Sequence, residues 1–228
     1  MTAARAGAAE AYAARHYRDR FRYGEGTEQI LAMLGSVPPV DRWADLGSGA
    51  QTLLWAWAVN ARTVIAVDTD PQQLHLLHQR ASAASLDPVH DTVAHLCGRD
   101  PAEFADLCAT LTATAWADCL TTPIEHPGLP AASFGLVTQF GLLGLTRDAA
   151  HFTTAFTAVH RLAAPSGWVA GANWTARNSA GRVRLSAELY RAAARAADVE
   201  LTLLERIDSA DPDFPSLWIY LGNRRSTP

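Results

Sequence analysis

The 228-residue chain predicts an α/β fold: a doubly wound, mostly parallel sheet of seven strands that ends in an antiparallel hairpin, preceded by an N-terminal helical cap. Three observations predict it. From position 42 onward, short apolar runs alternate with segments of helical period, the order that lays helices on both faces of a parallel sheet. The first apolar run enters a glycine turn, Asp45-Leu46-Gly47-Ser48-Gly49, and the second, Val64-Ile65-Ala66-Val67-Asp68, ends on an acid. The last two apolar runs are joined by 208–215, which has turn chemistry and no helical period, so a hairpin closes the chain.

Each element follows from the same signals. Residues 2–20 are rich in alanine and arginine with Tyr12, His16 and Tyr17 interleaved, which predicts a helix ahead of the sheet. A second helix is expected over 27–34, with Thr27 as its cap and Pro38-Pro39 as its stop. Strands are predicted at 42–46, 63–68, 112–118, 134–140, 167–174, 200–207 and 217–222. Helices are predicted near 52–60, 71–85, 101–110, 148–163 and 180–197, and His90 and His95 fall in an expected loop. No repeat or low-complexity linker divides the chain, so 1–228 reads as one domain, with 1–40 covering its site.

Composition narrows the function. With 49% hydrophobic residues and a net charge of -4, the chain suits one domain with a substantial core. Basic residues are scattered, which argues against a nucleic-acid partner. No run of about 20 uncharged apolar residues and no compact apolar leader is present, so a cytoplasmic protein without membrane contact is expected. All 19 basic residues are arginine. Schiff-base chemistry and a P-loop lysine are thereby excluded. Cys97, Cys108 and Cys119 are odd in number and unpaired in spacing, as expected of reduced buried thiols. His75 and His78 share a predicted helix without a third ligand, and no metal site is expected.

The glycine turn and the distal acid together describe a nucleoside-binding crevice. Glycines let backbone turn sharply and approach a ligand, and an acid ending the second strand suits a ribose diol. A dinucleotide fingerprint requires a third glycine at position 52, where Thr52 stands. With Ala117-Asp118-Cys119 after the third strand, the 129–137 segment opening the fourth, and Arg161-Leu162-Ala163-Ala164-Pro165-Ser166-Gly167-Trp168, the chain resembles class I S-adenosylmethionine-dependent methyltransferases, which have a Rossmann-like sheet. That resemblance implies S-adenosyl-L-methionine as cofactor. Gly47, Ser48 and Gly49 would cradle its methionine part, with Asp68 at the ribose, Asp118 and Cys119 at the adenine, and Thr69 and Gln73 also against the cofactor.

Phe21-Arg22-Tyr23-Gly24 and its spacing to Asp45 resemble the nicotinamide and phenylethanolamine N-methyltransferase group, in which an aromatic N-terminal segment closes the site. The resemblance implies that Tyr12, Tyr17 and Phe21 fold over the cofactor. The group's acid after the fifth strand falls at Asn173, and its downstream tyrosine pair is missing. Tyr17, Phe140, Asn173 and Trp174 are the expected acceptor-side residues, with Gln139 beside the cofactor.

The leading expectation is methylation of a small, nitrogen-containing molecule in specialised metabolism. Azetidine-2-carboxylate synthases, which this group also resembles, offer a second reaction: the cofactor's own amine displaces methylthioadenosine. A non-catalytic cofactor-binding protein is the third reading. The sequence leaves acceptor and oligomeric state open.

Overall fold

The computed structural model describes residues 20–121, 124, 128–178 and 180–226. Residues 2–19 of the first expected helix, with Tyr12 and Tyr17, lie outside them. The described chain forms one seven-stranded sheet: β1 Val40–Leu46, β2 Ala61–Asp68, β3 Leu111–Trp116, β4 Phe134–Phe140, β5 Ala163–Thr175, β6 Val199–Asp208 and β7 Ser216–Arg224. Their order across the sheet is β3-β2-β1-β4-β5-β7-β6. Only β7 runs antiparallel to its neighbours. All seven expected strands and the terminal hairpin are present.

Helices α1 Thr27–Gly35, α2 Thr52–Ala56, α3 Pro71–Ala83, α4 Pro88–Leu96, α5 Phe104–Ala109, α6 Ala149–His160 and α7 Ala187–Ala196 flank the sheet. One face buries Trp43, Trp57, Leu77 and Phe104; the other buries Phe134, Phe152, Phe156 and Tyr190. Burying such side chains contributes roughly 1.5–3 kcal/mol each, which fixes the helices against the sheet. Among the described residues no helix is long and apolar enough to cross a membrane.

Two expectations are corrected. The segment holding His90 and His95 is helix α4: Asp87 accepts hydrogen bonds from the backbone N–H groups of Val89 and His90, and Pro88 occupies the first turn. An acid before a proline satisfies the unpaired N–H groups of a helix start, and Asp70-Pro71 begins α3 in the same way. Thr27 does not cap α1. That position is Gly26, with φ +96°, where a Cβ would stand 2.6 Å from the Leu217 side chain.

Strand order reverses its direction of growth between β1 and β4. Ligands in such sheets bind beyond the carboxyl ends of the strands at this switch point. Because β6 runs parallel to β5, the β6–β7 loop also lies at that end.

Candidate functional site

A cavity of about 460 Å³ opens at the carboxyl ends of β1, β2, β4 and β5, within the usual range for small-molecule sites, roughly 300–1,000 Å³. Its first end is the turn after β1. Gly47 and Gly49 have φ of +64° and +52°, the left-handed region that glycine enters without penalty. A Cβ on Gly47 would also sit 2.9 Å from Leu142 Cβ, whereas around Gly49 it would meet only Gln73 Oε1, at 4.0 Å. The turn is therefore closed against Leu142 at Gly47 and open at Gly49.

Asp68 fixes the geometry of this end. Its Oδ2 accepts from the Gly49 N–H at 2.7 Å and its Oδ1 from the Asp70 N–H at 2.8 Å. A carboxylate has about four acceptor positions, so the half-buried group keeps capacity for further donors. Thr69 lines the cavity beside it, and its carbonyl accepts from the Trp116 indole at 2.9 Å. Ser48 is buried, with its N–H donating to the Val67 carbonyl at 3.0 Å.

Asp45 lies beneath the turn, fully buried. Its carboxylate accepts from Thr138 Oγ1 at 2.7 Å and Thr52 Oγ1 at 2.8 Å, and the Trp43 indole donates to Thr138 Oγ1. Burial pushes its carboxyl up to about 7 against the pull of the two hydroxyl bonds. Thr52, the residue that replaces a third glycine, thus joins α2 to β1.

The second end is built from other segments. Phe21 and Trp174 line it, with Phe140 packed on Trp55 at 4.5 Å between ring centroids. The Trp174 indole donates to the Glu25 carbonyl at 3.3 Å, and the Ala210 N–H donates to the Gly24 carbonyl at 2.8 Å. The 20–26 segment is thereby bound to both β5 and the β6–β7 loop. That loop brings Asp211 and Phe214 to the cavity, and the segment after β5 brings Arg182.

Seven expected site residues do not line the cavity: Ser48, Gly49 and Gln73 belong to its glycine turn and the helix facing it, and four are engaged in other contacts. Asn173 is fully buried: its Oδ1 accepts from the Gly144 N–H at 2.8 Å and its Nδ2 donates to Tyr190 Oη at 2.8 Å. Gln139 is likewise buried, accepting from the Leu143 N–H at 3.0 Å and donating to Tyr220 Oη at 3.2 Å. Both amides support the 141–145 loop from behind; neither lines the cavity. Asp118 is exposed and accepts from the Leu120 N–H at 3.0 Å. Cys119 is buried, which pushes its thiol up to about 12. Neither of these two lines the cavity. Among the described residues no group of three metal-ligating side chains converges.

Sequence reasoning did not single out Trp55, Val89, Arg182, Asp211 or Phe214. Val89 was hidden by the loop assigned to α4. For Asp211 and Phe214 the signal lay in topology, since a hairpin after a parallel strand places its turn at the ligand end.

No family model and no curated protein matches the chain. Solved structures do. The N-methyltransferase NodS from Bradyrhizobium japonicum WM9, in complex with S-adenosyl-L-homocysteine, is similar with a TM-score of 0.62 and 13% identity, over 88% of this chain and 86% of that one. The fold is the Rossmann-like methyltransferase fold. The amino pentose methyltransferase CalS10 from Micromonospora echinaspora, involved in calicheamicin biosynthesis and with S-adenosylmethionine bound, is similar with a TM-score of 0.57 and 15% identity, over 94% of this chain and 95% of that one. The 4+2 cyclase SpnF has the same architecture, with a TM-score of 0.61 and 13% identity, over 93% of this chain and 87% of that one. One architecture therefore accompanies different reactions, and the reaction must be argued from the site.

Proposed function

We propose that the chain is an S-adenosylmethionine-dependent methyltransferase acting on a small, nitrogen-containing molecule. The observation that carries this reading is the two-ended cavity. One end has the left-handed glycine turn with the Asp68 carboxylate, and the other extends past Trp174 into a charged, aromatic space that a cofactor need not fill.

The residues at the first end suit the cofactor. The open side of Gly49, faced by Gln73, leaves room for close backbone approach, and Asp68, with Thr69 beside it on the cavity wall, has acceptor capacity for ribose hydroxyls. When bound, S-adenosylmethionine supplies an electrophilic methyl group on a sulfonium, which passes to a lone pair and leaves sulfur neutral. The chain's own work is positioning: holding a nucleophile in line is worth roughly 7–11 kcal/mol in favourable cases. Phe21, Phe140 and Trp174 exclude water, and aromatic faces attract a cationic centre by about 0.5–2 kcal/mol each. Burial among such rings also favours an amine in its neutral, nucleophilic form. The bound cofactors of NodS and CalS10 and the aromatic N-terminal segment, with its resemblance to the nicotinamide and phenylethanolamine group, support the reading.

Calorimetry with S-adenosylhomocysteine tests the binding step and should give one site per chain. Incubation with S-adenosylmethionine alone tests the reaction. Adenosylhomocysteine formed only when an acceptor amine is added is the expected result; methylthioadenosine released without acceptor would overturn methyl transfer in favour of cyclisation.

A further inference from the structure

The second end of the cavity carries both signs of charge, divided between a pair already made and two groups still open. Arg22 Nη1 lies 3.4 Å from Glu25 Oε1, so these two compensate each other within the N-terminal turn. Asp211 and Arg182 line the same space, and among the described residues no ion pair compensates either.

The Asp211 carboxylate is held by backbone N–H groups, and exposed Arg182 is placed at the cavity by the residue after it. Asp211 Oδ1 accepts from the N–H groups of Asp213 at 2.8 Å and Phe214 at 3.3 Å, which orients the carboxylate and leaves Oδ2 for a ligand. The loop carrying it is tied across its neck by Ser209 N–H to the Pro215 carbonyl, 2.9 Å, and to the N-terminal turn through Ala210. Arg182 precedes Val183, whose buried side chain and 2.7 Å N–H bond to the Thr146 carbonyl fasten this segment to the loop after β4. Trp174 and Phe214 provide apolar surface in the same space.

We propose that the acceptor is a small zwitterion, its amine held by Asp211 and its oxyanion by Arg182, with an apolar body against Trp174 and Phe214. The proposal rests on the methyl-transfer reading and narrows its substrate class. A half-buried carboxylate and an exposed guanidinium that border one cavity, with no ion pair to either among the described residues, are met together by a ligand carrying both opposite charges. A guanidinium takes a carboxylate or a phosphate through two parallel hydrogen bonds, which gives geometric selection as well as attraction. An amine without the oxyanion leaves Arg182 unanswered, and discrimination follows from that unpaired group.

The test is calorimetry on the full chain saturated with S-adenosylhomocysteine. L-phenylalanine, L-tyrosine and L-tryptophan are compared with phenethylamine, tyramine and tryptamine, and phosphoethanolamine with ethanolamine. At least one zwitterion should bind tenfold or more tightly than its amine, and the arm that does so identifies carboxylate or phosphate as the oxyanion. Arg182→Gln should narrow that preference to within about threefold, Asp211→Asn should weaken zwitterion and amine alike by about tenfold, and neither should alter S-adenosylhomocysteine affinity. The proposal is overturned if the cofactor product binds normally and no zwitterion outbinds its amine, or if the preference survives Arg182→Gln. Failure of S-adenosylhomocysteine itself to bind would instead strike the functional reading.

Discussion

Adjacent residues on a strand point to opposite faces of the sheet, and this divides Gln139 from Phe140 and Asn173 from Trp174. All four occupy the carboxyl ends of β4 and β5, a position readable from the sequence. Which member of each pair faces the cavity was not readable, because the alternation had to be phased against helices that only packing puts in place. Phe140 and Trp174 line the cavity, while Gln139 and Asn173 turn toward Tyr220 and Tyr190. Their roles are separable by experiment. Asn173→Leu strands the Gly144 N–H and Tyr190 Oη, and an unsatisfied buried polar group costs about 1–3 kcal/mol, so the melting temperature should fall by several degrees. Asp68→Asn keeps the fold but loses a charged acceptor worth about 1.5–3 kcal/mol, so S-adenosylhomocysteine should bind roughly 10- to 100-fold more weakly. An unchanged melting temperature for Asn173→Leu with binding abolished would place Asn173 in the cavity after all.

Elements whose signals are local were the readable ones. Seven apolar runs gave seven strands, but β5 begins four residues before the expected start because Ala163 already pairs with Phe134 of β4, ahead of the irregularity carrying Ser166 at φ +61°. Helix α4 was missed although Asp87-Pro88 marks its start; a nine-residue helix bounded by loops has little periodicity to read. The turn after β1 gives a sharper comparison of element and site. Gly47 and Gly49 share left-handed backbone, which costs an alanine about 1–2 kcal/mol, yet only Gly47 abuts Leu142. Gly47→Ala should therefore destabilise the protein by at least 1 kcal/mol more than Gly49→Ala in urea unfolding. Equal losses would mean that Leu142 moves aside and that strain alone makes both positions glycine.

Among the described residues, Asp45, His90 and His160 are the buried groups that couple the fold to pH between about 4 and 7. Burial holds His160 down at about 3 and His90 down at about 4, the latter with Arg80 adding to the effect and Asp87 opposing it. Both imidazoles stay neutral, and Trp57 Nε1 donates to His90 Nδ1 at 3.0 Å. Asp45, pushed up to about 7, stays protonated. Between pH about 5 and 6.5 the unfolded chain binds a proton at each of these histidines that the native state refuses, and releases the Asp45 proton that the native state retains. The unfolded state thus holds about one proton more near pH 5, so stability rises there by roughly 1.4 kcal/mol per pH unit, and the slope declines toward pH 6.5 as the unfolded histidines lose their protons. It levels off near pH 7, where the unfolded histidines are mostly neutral and native Asp45 is about half ionised. His160→Gln removes one of the two histidine contributions while keeping a polar group within reach of Tyr220, whose hydroxyl lies 3.0 Å from His160 Nε2. The remaining His90 and Asp45 then oppose each other. Urea unfolding of this variant should accordingly be nearly flat from pH 5 to 6.5. A slope equal to that of the parent chain would show that His160 accepts its proton in the folded state, and that burial of its unpartnered Nδ1 does not hold the ring neutral.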